Sequence, residues 1–283
     1  MQRDLSTGNT GGQSASGVKV ARGDVLVWSV GFETIDTHLL TVFRRSLWDE
    51  ERARADQFRF ERDHVLYVTA HALLHAMLGV YAETGFRLRT NEWGKPEIDS
   101  PGNSLRFNLT HTNGLAACAV TMIDDLGVDA EARDRVTDFL ELTGRFFAPS
   151  EAAYISALPD ADRQSAFLQL WTLKEAFIKA VGKGLSIPLD EFAFTLQPLS
   201  LSHRDDNEAR QWRFESLTLS SGHHLAVALR QSRGGPMRHS VLSPLELAAL
   251  VSRGRQWEVQ TAIPRAARVV GIDGACGTGV MTD

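Results

Sequence analysis

Hydrophobic and polar positions follow two rhythms along this chain, and both come round twice. Asp24 to Val30 reads as a strand, dense in apolar residues and preceded by a glycine. Asp49 to Gln57 reads as a charged helix with alanine spacers. From Arg62 to Tyr81 the apolar positions Val65, Leu66, Val68, Leu73, Leu74, Met77 and Leu78 recur at helical spacing, which predicts a second helix. Phe86 to Arg89 is a short strand, and Asn91 to Pro96 is a turn punctuated by Gly94 and Pro96. Phe107 to Thr112 and Leu115 to Thr121 form the two arms of a hairpin, because Asn113-Gly114 between them suits a tight reversal. The order then repeats. A strand at Leu126 to Glu131 precedes a helix that starts at Pro149-Ser150-Glu151 and a long one from Asp162 to Val181. Gly182-Lys183-Gly184 stops the long helix. Strands follow at Phe192 to Leu196, Trp212 to Leu217 and Leu225 to Leu229.

Matching elements are offset by roughly a hundred residues, the size of one small domain. The pattern therefore predicts an α+β fold of two similar halves packed face to face, residues 24–125 and 126–230. Residues 1–23 read as a disordered leader. Residues 231–253 read as a linker with a short amphipathic helix, opened by the capping box Ser243-Pro244-Leu245-Glu246. Residues 254–283 read as a loose tail.

Composition narrows the function classes. The chain has 283 residues, 43% hydrophobic and 23% charged, an ordinary globular mixture. A net charge of -5 leaves no basic excess, so nucleic acid is not an expected partner. The leader has no apolar stretch, and no unbroken apolar run approaches the roughly 18 residues of a membrane helix, so neither export nor a membrane is expected. Two cysteines, Cys118 and Cys276, form neither a metal spacing nor a disulfide framework, which points to a reducing cytoplasm.

Two segments carry the chemistry. Glu175 and Lys179 lie four apart in Trp171-Thr172-Leu173-Lys174-Glu175-Ala176-Phe177-Ile178-Lys179, so they share a helix face. Asp129 and Glu131 lie two apart on a strand and share a face of it. Alone, each pair has a duller reading, as a polar strand edge in water or an exposed helix ion pair. The long helix is apolar nearly all round, however, and a buried helix keeps its charges for a cleft or an ion. Together the segments make an oxygen-rich cation site edged with positive charge, which suits a magnesium-bound phosphate ester. Lys95 in its turn and His111 in its strand are ordinary singly. As a set they offer donors to a diphosphate. The remaining histidines have no ligand spacing, and Gly274 to Gly279 lacks the strand-to-helix setting of a phosphate loop.

Taken in order, Trp93-Gly94-Lys95-Pro96, Phe107-Asn108-Leu109-Thr110-His111-Thr112, Gly127-Val128-Asp129-Ala130-Glu131, Arg145-Phe146-Phe147 with Glu151, and the Trp171 to Lys179 run with Gly182-Lys183-Gly184-Leu185 resemble the Sfp-type 4′-phosphopantetheinyl transferase family. The resemblance spans roughly residues 24–230. It implies halves related by a pseudo-twofold axis, with the active site in the cleft between them. It implies transfer of 4′-phosphopantetheine from coenzyme A to a serine of an acyl or peptidyl carrier protein, releasing adenosine 3′,5′-bisphosphate. By that resemblance Asp129, Glu131 and Glu175 hold Mg²⁺, and Lys179 and Lys174 neutralise the phosphate. Glu151 or Glu175 serves as base. Lys95, Pro96, Thr110 and His111, with Arg54 and Arg59, contact the nucleotide. The chain departs from the family pattern where arginines for the 3′-phosphate are usual, since His71 and His75 stand in that stretch. A monomer is expected, because the two fused halves supply one site. The alternative is a non-catalytic carrier-protein or nucleotide-binding module on the same fold. Retention of the three carboxylates and Lys179 argues against it.

Overall fold

In the computed structural model β1 (Val25–Gly31) is followed by three helices, α1 (Thr37–Ser46), α2 (Asp49–Ala55) and α3 (Glu61–Tyr81). A small hairpin follows, β2 (Arg87–Thr90) with β3 (Pro96–Asp99), and then the Asn113-Gly114 hairpin, β4 (Leu105–Thr112) with β5 (Leu115–Met122). The second round is β6 (Leu126–Glu131), α4 (Phe139–Phe146), α5 (Pro149–Ala157), α6 (Asp160–Val181), the hairpin β7 (Ala193–Leu196) and β8 (Leu199–Ser202), the short α7 (Asp206–Ala209), β9 (Trp212–Thr218) and β10 (His224–Arg230). β11 (Met237–Leu242) and α8 (Pro244–Arg253) close the chain. The structure describes residues 20–82, 87–100, 102–134, 138–230 and 235–253. The expected tail, most of the expected leader, Phe86, Cys276 and Gly274 to Gly279 lie outside the described residues.

Strand pairing repeats along with element order. One sheet runs β11-β1-β5-β4 and the other β6-β10-β9, so β1 and β6, β5 and β10, and β4 and β9 hold matching places. Alternation of side chains across each strand gives each sheet two apolar faces. Leu126, Val128, Ala130, Leu225, Val227 and Leu229 meet Val25, Val27, Leu115, Ala117 and Ala119 in a core between the sheets. The outer face of the first sheet takes α1, α3 and α8. The outer face of the second takes α6, through Ala226 and Ala228. The layers therefore run helix, sheet, sheet, helix.

Each half also repeats a buried acid. Glu51 accepts from the Trp48 N–H at 2.9 Å, which satisfies the open start of α2, and meets His75 Nε2 of α3 at 2.7 Å. Glu151 accepts from the Ala148 N–H at 3.0 Å at the start of α5 and meets Lys174 Nζ of α6 at 2.7 Å. In both halves the long helix lends a basic side chain to the glutamate that caps the short helix before it.

Some elements went unread in the sequence. α1 and α4 are brief, and each is opened by an aspartate, Asp36 and Asp138, whose side chain accepts from the first turn. β11 sits where only a linker was expected. It pairs parallel to β1 as an edge strand, and its mixed half-buried and exposed positions give no apolar run. α3 is by length and composition apolar enough to cross a bilayer, a property that a count of unbroken apolar residues misses. Here Val68, Leu73, Leu74, Met77 and Leu78 pack into the first core, and half of its apolar window is buried.

Candidate active site

β4 is the edge of its sheet and β6 the edge of the other, and side chains join them. Asn108, Thr110 and Thr112 lie two apart, so strand geometry puts them on one face. Asn108 Oδ1 accepts from the Val128 N–H at 2.8 Å. Thr110 Oγ1 donates to Asp129 Oδ1 at 3.1 Å, and Thr112 Oγ1 to Glu131 Oε2 at 3.2 Å. This polar ladder ties the acid-bearing strand to the first half. His111 falls between its rungs, on the opposite face of β4, where it is exposed.

α6 lies across the outer face of the second sheet. Gly127 lets it settle there, because a Cβ at that position would stand 2.0 Å from the Ala176 carbonyl oxygen and 2.5 Å from the Ala180 nitrogen. That close seating brings Lys179 Nζ to 2.6 Å from Asp129 Oδ1 and 3.1 Å from Thr110 Oγ1. Asp129 is 6% exposed, and among the described residues nothing hydrogen-bonds its Oδ2. A buried carboxylate oxygen without a donor is costly, so the site is built to receive one more positive or hydrogen-bearing group. Glu175, one turn before Lys179, is 6% exposed on the same helix face.

The Asn91–Pro96 turn reaches this seam from the first half. Asn91 Oδ1 accepts from the N–H groups of Trp93 and Lys95, both at 2.9 Å, and Nδ2 donates to the Gly182 carbonyl at 2.9 Å. Lys95 Nζ donates to the carbonyls of Leu126 at 3.1 Å and Ala180 at 2.9 Å. Burial pushes the Lys95 amine down to about 8, against the opposing charges of Asp125 and Glu97. Pro96 opens β3 opposite Thr90.

Several expected site residues stand elsewhere. Lys174 and Glu151 both have wholly buried side chains. Lys174 spends its three donors on Glu151 and on the carbonyls of Leu189 and Phe192, each at 2.7 Å. Glu151 Oε1 accepts from the Phe194 N–H at 2.8 Å, so both of its oxygens are used. Burial pushes the Glu151 carboxyl up and the Lys174 amine down, and each partner opposes the shift. Neither side chain has an open position toward a substrate, and the pair secures α5, α6 and β7 instead. Arg54 and Arg59 are exposed in the helical layer of the first half, Arg59 over the Phe60 ring at 5.4 Å. No hydrogen bond or ion pair among the described residues joins either to the Asp129 group. For the three carboxylates expected to share an ion, no group of three or more Asp, Glu, His or Cys among the described residues stands ready-made to hold a metal. Asp129 turns its Oδ1 to Lys179 and Thr110, and Glu131 turns to Thr112, while Asp129 Oδ2 keeps no protein donor among the described residues.

Asn91, Asn108, Thr112 and Gly127 matter to this geometry and were not singled out as site residues. Asn108, Thr110 and Thr112 show a period of two on a strand otherwise apolar at Phe107 and Leu109, a readable sign that one face meets something polar. Gly127 inside a strand signals close backbone approach.

Comparison with known proteins points to one family. Residues 125–228 match the model of the 4′-phosphopantetheinyl transferase superfamily. The 4′-phosphopantetheinyl transferase HetI of Nostoc sp. is 32% identical over 180 residues, 62% of this chain and 75% of that protein. The L-aminoadipate-semialdehyde dehydrogenase-phosphopantetheinyl transferase of Homo sapiens is 29% identical, over 67% of this chain and 69% of that protein. A 4′-phosphopantetheinyl transferase of Bacillus subtilis is 35% identical over 40% of this chain and 49% of its own length. The matched segment carries β6 and α6, the two elements that bring Asp129 and Lys179 together. This chain belongs to the 4′-phosphopantetheinyl transferase superfamily.

Proposed function

We propose that this chain transfers the 4′-phosphopantetheine arm of coenzyme A to a serine hydroxyl of an acyl or peptidyl carrier protein. The seam between residues 24–125 and 126–230, two halves related by a pseudo-twofold axis, is the active site. The observation that carries the reading is the Asp129–Lys179 pair on that seam, with a buried carboxylate oxygen left without a donor. The serine Oγ–P bond forms and the bond from that phosphorus to the bridging oxygen of the diphosphate breaks. Adenosine 3′,5′-bisphosphate leaves with the electron pair. Such transfers need positioning and charge neutralisation more than covalent help.

Lys179 carries the positive charge, half-buried beside Asp129, that suits the phosphate under attack. Glu175 is the carboxylate left to accept the serine proton, since Glu151 has both oxygens engaged. Thr110 and Thr112 hold Asp129 and Glu131 in place through the ladder. Magnesium belongs to the same proposal. The open Asp129 oxygen fits a hard dication, and Mg²⁺ keeps waters and takes phosphate oxygens, so one or two carboxylates suffice. Asp129 would hold it, with Glu131 two residues on along β6 and Glu175 on α6 as the other expected carboxylates. When bound, it would neutralise charge on the diphosphate. A monomer working in the cytoplasm, with neither nucleic acid nor membrane as partner, completes the reading.

The test is carrier modification by Asp129→Ala and Glu175→Ala, with folding checked by circular dichroism. Both variants are expected to fold and to lose at least about 100-fold in rate, the scale of one removed electrostatic or proton-transfer group. Full activity in a folded Glu175→Ala variant sinks the assignment.

A further inference from the structure

We infer that Lys95 is a positioning residue that sets the active-site spacing from the first half, and not a ligand of the coenzyme A phosphates. This rests on the transferase reading above. An ammonium has three donors, and Lys95 commits two of them to main-chain carbonyls of two different elements. The Leu126 carbonyl lies at the start of β6, three residues before Asp129. The Ala180 carbonyl lies one residue after Lys179. One side chain thus fixes the strand that carries the acid against the helix that carries the cation, whose own tips meet at 2.6 Å.

The surroundings are shaped for this grip. Gly182 ends α6 with φ 76°, a conformation that favours glycine. A Cβ there would stand 2.9 Å from Lys95 Cδ and 3.3 Å from Asn91 Nδ2, so the missing side chain makes room for the lysine stem. Asn91 grips the same helix end through the Gly182 carbonyl and stiffens the turn that presents Lys95. Last-turn carbonyls of a helix lack partners of their own, and here a residue from the other half supplies them. The fold places the most conspicuous lysine of the first half where it acts on spacing.

Lys95→Met tests the inference, with Asn91→Ala as a milder loosening of the same grip. The first readout is hydrogen exchange of the free protein, which is independent of the reaction. Peptides covering residues 126–130 and 176–182 are expected to exchange faster in both variants, with α3 unchanged. Unaltered exchange in those peptides overturns the inference. The second readout compares coenzyme A with its analogue lacking the 3′-phosphate. Lys95→Met is expected to lower kcat about 10- to 100-fold, the cost of a misplacement near 1 Å. Its KM for coenzyme A and its preference between the two substrates should stay within about threefold of wild type, too small a change for a lost charge-assisted phosphate contact. A Lys95→Met enzyme with normal kcat, raised KM and no preference for the 3′-phosphate marks Lys95 as a phosphate ligand and overturns the inference. Wild type that modifies no carrier refutes the transferase reading instead, and leaves the exchange result to judge the grip alone.

Discussion

Gly127→Ala adds one methyl group at the place where strand and helix touch. The new Cβ would sit 2.0 Å from the Ala176 carbonyl oxygen, 2.5 Å from the Ala180 nitrogen and 3.0 Å from the Ala176 carbonyl carbon. Ordinary contact begins near 3.4 Å, so α6 must retreat from β6 by about 1.4 Å. All three neighbours are backbone, and no rotamer change relieves the clash. Overpacking costs about 1–3 kcal/mol where side chains can adjust, and this site belongs at the upper end. With a urea m-value of about 3 kcal/mol per molar, the unfolding midpoint falls by about 1 M. The same retreat pulls Lys179 from Asp129, so the rate of the surviving folded protein falls about 100-fold. Gly144→Ala is the control. Gly144 lies in α4 with nothing within 4 Å of an added methyl group, and there alanine is expected to stabilise by about 0.5–1 kcal/mol. Equal midpoints and equal activity for Gly127→Ala and wild type refute the close seating of α6 on β6.

Three further outcomes follow from the buried charges. Lys174→Met leaves Glu151 in the interior without its counter-charge and is expected to cost about 3–5 kcal/mol in denaturant unfolding. The double variant Glu151→Leu/Lys174→Met should recover most of that loss, and no recovery contradicts the structural role given to the pair. Acid should weaken the first half. Burial holds the His71 imidazole below its usual range, so its contribution is present above about 6.5 and is lost as pH falls through the depressed value. Burial pushes the Glu51 carboxyl up, but the charge and hydrogen bond of His75, the charge of His71 and the Trp48 N–H together hold the carboxyl low. That contribution is present above about 4.5 and is lost below it. Unfolding free energy measured from pH 7 to pH 4 should therefore decline, and His71→Gln should flatten the upper part of the decline.

Sequence pattern reads the frame of this protein better than its joints. The long helices and the Asn113-Gly114 hairpin are legible because many residues repeat one period, or because one dipeptide suits a single turn. β11 is not, since an edge strand half in water shows no apolar run. Asp129, Glu175 and Lys179 are legible as charges on elements otherwise apolar, and the fold does bring Asp129 to Lys179. Lys174 carries the same charge in the same run, yet only the tertiary fold shows that it points inward to Glu151 and two carbonyls. Lys95 likewise reads as a phosphate donor in one dimension. Its partners are main-chain oxygens 31 and 85 residues away, which no local pattern encodes.

Intact-mass spectrometry of an apo carrier protein, incubated with this protein, coenzyme A and Mg²⁺, tests the central claim most directly. The account predicts a carrier heavier by about 340 Da on its serine nucleophile, with adenosine 3′,5′-bisphosphate released in equal amount. Carriers of fatty-acid, polyketide and peptide type that all keep their apo mass, while a known transferase converts them in parallel, contradict it.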